Sequence, residues 1–256
     1  DHNTFIGYNV AATGTMTNAA DYNTGVGAWV LNDLSTGFSN TGVGYDAFAK
    51  LTTGNNSTAI GAAALDKSTI GVANTAVGTS ALTDEVLGNG TTAVGYAALF
   101  KQAMDGTNEW SHNTAMGGYA GYYNVTGLSN TYIGYEAGFG ASGQSNSYNV
   151  GVGTDALHVI TTGGYNAVLG QGAGKALTDG HNNVAIGNLA LSTSTSVGIS
   201  VAIGDDAMRS GNVTAAADGT VAIGGSALNA LTSGERNLAI GYRALAAATQ
   251  TNDNIA

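Results

Sequence analysis

Neither cysteine nor proline occurs in the 256 residues of this chain. Without thiols there is no disulfide framework and no thiolate metal site, and the redox compartment stays undetermined. Charge is scarce as well: charged side chains make up 9% of the residues, against roughly a quarter in ordinary soluble domains. Only seven are Lys or Arg, and they are scattered, while the formal net charge is −10. Phosphate backbones are held by clustered cations, so nucleic acid is not expected as a partner. No apolar run reaches the roughly 18 residues a membrane helix needs, and DHNTFIG at the start lacks a signal-peptide pattern. Membrane insertion is therefore not expected.

What is abundant is glycine, with 40 residues, and it is periodic. NNVAIGNLAL at 182–191 recurs in variants such as NTAVGTSAL at 74, TTAVGYAAL at 91, NTYIGYEAG at 130 and NLAIGYRAL at 237. The anchor glycines are Gly7, Gly27, Gly44, Gly61, Gly78, Gly95, Gly117, Gly134, Gly153, Gly170, Gly187, Gly204, Gly224 and Gly241, which makes fourteen repeats of 17 residues with occasional insertions. A fixed period of this size marks a solenoid whose turns stack on their neighbours. The expectation is one elongated, repetitive β domain over residues 1–256. No capping element is recognisable at either end, so the chain reads as a segment of a longer fibre.

Each unit can be numbered from its glycine as position 0. Position −1 is always Ile, Val, Leu or Met, which predicts that it faces an apolar interior; position −3 shares that face because strand side chains alternate. The −3 column is Thr from Thr4 to Thr131 and afterwards mostly Val. Position −4 is Asn in ten units and Ser or Thr in four, suited to starting a strand out of a turn and to a stacked ladder of amides. Position −2 is mostly Ala or Gly, which predicts close approach of another backbone and an interchain contact. Ala at +3 and usually Leu at +4, as at Leu65, Leu82 and Leu99, form a second inward element. A strand and a single helical turn both fit its length, and an extended segment is the preferred reading. The predicted fold is all-β: a β-solenoid or β-roll of about fourteen coils, packed as a homotrimeric fibre.

The unit N-[TSV]-A-[IV]-G-x-x-A-L, with a Thr/Gly/Asn spacer, resembles the head repeats of trimeric autotransporter adhesins. It is still more similar to the NTAIGYxAL and NTxIGYxAG repeats in tail-fibre proteins of tailed bacteriophages; NTYIGYEAG and NTAVGTSAL carry the likeness. The resemblance covers nearly the whole chain. It implies a homotrimeric β fibre on a virion or cell surface, attaching to a host polysaccharide or protein receptor. Within it, a phage tail-fibre shaft is the first expectation and a bacterial adhesin head the second.

No catalytic, cofactor or metal residue is assigned. GFGASG at 138–143 matches a dinucleotide fingerprint but lies in a repeat spacer, outside any strand-to-helix context. His2, His112, His158 and His181 have no paired ligand spacing and read as turn residues. Asp205 and Asp206, taken as neighbours on a strand, would point to opposite faces and fail as an acid–base pair. The repeats lack any nucleophile elbow or HExxH motif, so an enzyme is not expected. Insertions interrupt four spacers, and the longest holds Trp110 with Lys101, Asp105, Glu109 and His112 nearby. Either Trp110, Glu109 and His112 form a recognition surface, or the loop is merely tolerated and Trp110 lies on the fibre wall. Tyr at +1, as at Tyr45 and Tyr96, reads as wall packing. An ice-binding solenoid, prompted by the Thr column, is the remote alternative; it is disfavoured because −3 shares a face with the always apolar −1 and turns to Val and Leu in later repeats.

Overall fold

The structure, a computed structural model, describes residues 2–104, 109–209 and 217–256. It is all-β, a parallel β-solenoid with one short strand per 17-residue coil, and no α-helix occurs among the described residues. The chain divides into two compact units, Asp1–Ser129 and Asn130–Ala256. The first carries β1 (Thr4–Tyr8), β2 (Thr24–Ala28), β3 (Thr41–Tyr45), β4 (Thr58–Ile60), β5 (Thr75–Val77), β6 (Thr92–Val94) and β7 (Thr114–Met116). The second carries β8 (Thr131–Ile133), β9 (Val150–Val152), β10 (Ala167–Leu169), β11 (Val184–Ile186), β12 (Val201–Ile203), β13 (Val221–Ile223) and β14 (Leu238–Ile240). Within each unit successive strands pair in parallel with no slip, so Thr58 lies beside Thr75 and Val184 beside Val201. Equivalent positions therefore form straight columns.

The anchor glycines are required by both space and backbone. At Gly61 φ is +132°, and a Cβ would lie 2.5 Å from the carbonyl oxygen of Gly78; at Gly187 the values are +130° and 2.5 Å from Gly204. An L side chain is excluded on both counts. From this glycine the chain turns through the inward element, which is neither strand nor helix. Positions +2 and +4 take left-handed conformations, as at Ala63 (φ 55°) and Leu65 (φ 49°), each at a cost of about 1–2 kcal/mol. What offsets that cost is continued bonding between coils: Leu65 donates to Ala81 at 3.1 Å and Lys67 to Thr83 at 3.3 Å, while Gly78 donates back to Ile60 at 2.7 Å. The expected extended segment is thus a tight turn, because alternating handedness lets +3 and +4 both point inward.

The interior lies on the opposite strand face from the one predicted. From β2 to β14 position −2 is buried, whereas no −1 residue is buried: Ile60 is 40% exposed and Leu169 51%. The reason is volume. A coil this thin has room for Ala or Gly at −2 beneath the Leu at +4, and a larger −2 residue is accompanied by a small +4. Phe5 faces Ala11, Tyr132 faces Gly138 and Val168 faces Gly174, while Ala76 faces Leu82. The compensation holds in every coil but the one anchored at Gly117, where Ala115 and Gly121 are both small. Close packing makes such reciprocity necessary. Position +7 joins the core too, through Leu34, Leu51, Ile160, Leu177 and Leu231.

Two polar ladders complete each coil. The −4 asparagines are buried and stacked: Asn183 Nδ2 donates to Asn166 Oδ1 at 3.0 Å and to the Val197 carbonyl at 2.8 Å, and its own Oδ1 accepts from Ser200 N at 3.1 Å. Where asparagines follow one another, as here, the amide reaches the coils before and after it, which satisfies a polar group that would otherwise be costly to bury. Spacer threonines form the second ladder, with Thr52 Oγ1 donating to the Thr69 carbonyl at 3.0 Å and Thr161 to that of Thr178 at 2.9 Å.

Candidate recognition surfaces

The Trp110 insertion lies in the first unit. Trp110 bridges to Asn89, whose N–H donates to the Glu109 carbonyl at 2.9 Å. Part of the indole covers Gly90, where a Cβ would come within 2.6 Å of it, yet Trp110 remains 50% exposed. Its ring stacks on His112 at 5.7 Å, and with Glu109, Met104, Thr126 and Leu128 it lines an open concavity of about 360 Å³. The structure therefore brings the three expected residues together, on the wall and half open at once. Lys101 is engaged elsewhere, its ammonium 2.9 Å from Asp84 and over the Phe100 ring at 4.7 Å. Asp105 lies outside the described residues.

A second aromatic surface, in the second unit, escaped the sequence reading. Tyr148 and Tyr165 occupy position −5 of adjacent coils and stack at 4.7 Å with planes 10° apart. They border a concavity of about 440 Å³ with Thr162, Asp179, His181 and Asn182. Stacked rings beside polar groups suit a sugar face. The repeat spacing places the two tyrosines 17 residues apart, and that was the available signal.

The +1 tyrosines are exposed rather than packed flat, Tyr45 by 57% and Tyr242 by 80%, although Tyr96 meets Tyr119 edge-on at 5.1 Å. Asp205 and Asp206 sit in the turn after β12, not on a strand, and both are occupied: Asp205 accepts from Asn188 at 2.9 Å and Asp206 from Arg209 at 2.8 Å. Gly138 of the GFGASG stretch packs under Tyr132. The few charges form columns of their own. Asp84 binds Lys67 at 2.6 Å and Lys101 at 2.9 Å. Burial raises the Asp84 pKa, but the hydrogen bonds and positive charge of the two lysines outweigh it and hold the carboxyl below its ordinary value.

A further surface feature is the sheet face itself. In both units −1 presents Ile, Val, Leu or Met outward beside −3, partly or largely exposed, and none of these residues is buried among the described residues. The apolar column is visible in the sequence, and the structure turns it outward instead of inward. No family model and no curated protein sequence matches the chain.

Proposed function

We propose that this chain is a structural, non-enzymatic segment of an adhesive fibre, the shaft of a phage tail fibre that helps attach a virion to its host, assembled as a homotrimer. The observation that carries this reading is the outward apolar stripe at −1, kept in every repeat although no fold contact of the chain requires it. Contiguous exposed apolar surface of that regularity is characteristic of an interface. In a symmetric assembly the same stripe from each copy meets at a common axis, so one repeated column serves all chains. Receptor contact, to a polysaccharide or protein, is assigned to the Trp110 and Tyr148–Tyr165 surfaces, which lie off the stripe. A bacterial trimeric adhesin head shares all these features and is the neighbouring reading.

The test is the mass in solution by light scattering, with and without heating in SDS. A trimer of 3 × 25.4 = 76.2 kDa is expected, together with its loss in an Ile186→Lys, Ile203→Lys double variant that keeps its circular dichroism. A stable 25.4 kDa wild-type monomer overturns the fibre reading.

One observation favours a second reading. Since −3 faces outward, the first unit displays Thr24, Thr41, Thr58, Thr75, Thr92 and Thr114 as a half-exposed column with the roughly 4.8 Å strand spacing. The objection raised from sequence, that this column shares a buried face, no longer applies. An ice-binding monomer would show thermal hysteresis at micromolar concentration; a trimer without hysteresis rejects it.

A further inference from the structure

We propose that Glu136, Asp155 and His158 form a binding site for a divalent transition-metal ion of the zinc class. Glu136 and Asp155 occupy position +2 of successive coils, so the solenoid register stacks one carboxylate over the other. His158 follows Asp155 by three residues, after the left-handed turn at Leu157 (φ 54°) swings it back beside both acids. The three donor atoms lie within 4.8 Å of one another.

The imidazole Nδ1 is 3.4 Å from Glu136 Oε2 and 3.5 Å from Asp155 Oδ1. It is sealed from solvent and hydrogen-bonded to neither. Those separations are too long for good hydrogen bonds. They do match the edges of a tetrahedron, about 3.3–3.6 Å, around an ion with ligand bonds of about 2.0–2.2 Å. An ion placed among the three atoms would satisfy the orphaned nitrogen.

The surroundings hold these donors in place. Phe139 stacks on the His158 ring at 5.3 Å with planes 7° apart, and Lys175 Nζ takes Asp155 Oδ2 at 2.7 Å, leaving Oδ1 turned toward the histidine. Such outer contacts fix ligand orientation in metal sites. The donor set selects the ion: one imidazole and two carboxylates suit zinc and its neighbours, whereas calcium and magnesium call for oxygen-only shells. Three protein ligands leave a fourth position open to water. The three side chains keep 19–24% of their surface exposed, so solvent reaches the edge of the cluster while Nδ1 itself is covered. Sequence spacing hides the site because Glu136 lies a full coil away from its partners.

The test is calorimetric titration of the full chain with zinc chloride, paired with the visible spectrum of the cobalt(II) form. One ion per chain is expected, with the intense d–d bands of a tetrahedral centre. His158→Gln and Glu136→Gln should each weaken binding by about tenfold or more with circular dichroism unchanged. His2→Gln, at a histidine outside the cluster, should leave it intact. Absence of binding at millimolar zinc would overturn the proposal. Binding that survives His158→Gln would overturn it equally, as adventitious uptake elsewhere.

Discussion

The first unit carries Thr at −3 in all of its strands, from Thr4 to Thr114, whereas the second follows Thr131 with Val150, Ala167, Val184, Val201, Val221 and Leu238. The strands pair in the same register in both units, and the anchor glycines adopt the same conformation. A column that changes from hydroxyl to methyl without altering the coil is not what determines the coil. Position +7 tells a related story inside. The second unit buries Ile160, Leu177 and Leu231 there, while the first turns from Leu34 and Leu51 to Ser68, Glu85, Gln102 and Asn124. Glu85 and Gln102 are networked: Gln102 Nε2 donates to Glu85 Oε2 at 3.0 Å and to Thr91 Oγ1 at 2.9 Å, and its Oε1 accepts from Asn113 at 2.8 Å. The fold tolerates either solution: the longer polar side chains at +7 find partners, and the small hydroxyls of Ser68 and Ser194 are buried without one.

The heaviest blow should fall equally on both units. Gly61→Val and Gly187→Val each put a β-branched side chain where φ is positive and the next coil's carbonyl is in the way, so losses above about 4 kcal/mol in urea unfolding are expected. A mild loss in one unit alone would end the equivalence. Leu82→Ala and Leu191→Ala should follow at about 2–5 kcal/mol each, since both leucines are fully buried over an Ala at −2.

The units should then diverge. Gln102→Leu strips the buried Glu85 of a donor and should cost about 1–3 kcal/mol. Ser194→Ala, at the same position of the second unit, removes a buried hydroxyl that has no hydrogen-bond partner and should be neutral or slightly stabilising in the same assay. Smallest of all is the outer face: Thr75→Val and Val201→Thr should each change the stability of the single chain by less than about 0.5 kcal/mol. The pH dependence has a definite sign. Because Asp84 is held below its ordinary pKa in the folded state, its contribution is complete above about pH 4 and vanishes as pH falls through the lower folded value. Thermal melts of Asp84→Asn should therefore differ from wild type at neutral pH and converge with it in acid.

The period, the fold class and the amide ladder were legible in the sequence because each is a column property: Asn at −4 and Gly at 0 recur whatever surrounds them. Which face of the strand lay inside was not. A run such as Thr75-Ala76-Val77 puts its bulkier apolar residue at −1, and the usual rule sends the larger hydrophobe inward. Here the enclosed space was too small for it, and the evidence lay in reciprocity between −2 and +4, as in Tyr132 with Gly138, rather than in either column alone. Trp110, Glu109 and His112 could be named from one insertion because they are close in sequence. The Tyr148–Tyr165 pair and the Glu136–Asp155–His158 cluster could not, since coil stacking assembles them.

The anchor glycines carry one more implication. Gly61 meets Gly78 as Gly187 meets Gly204, each with its next neighbour's carbonyl 2.5 Å from where a Cβ would be. Contacts defined only with respect to the next coil make no reference to how many coils there are. Excising one 17-residue stretch, such as residues 62–78, would rejoin equivalent positions and leave every kind of contact represented. The number of repeats is thus a quantity that recombination between them can adjust in steps, while the local chemistry stays the same.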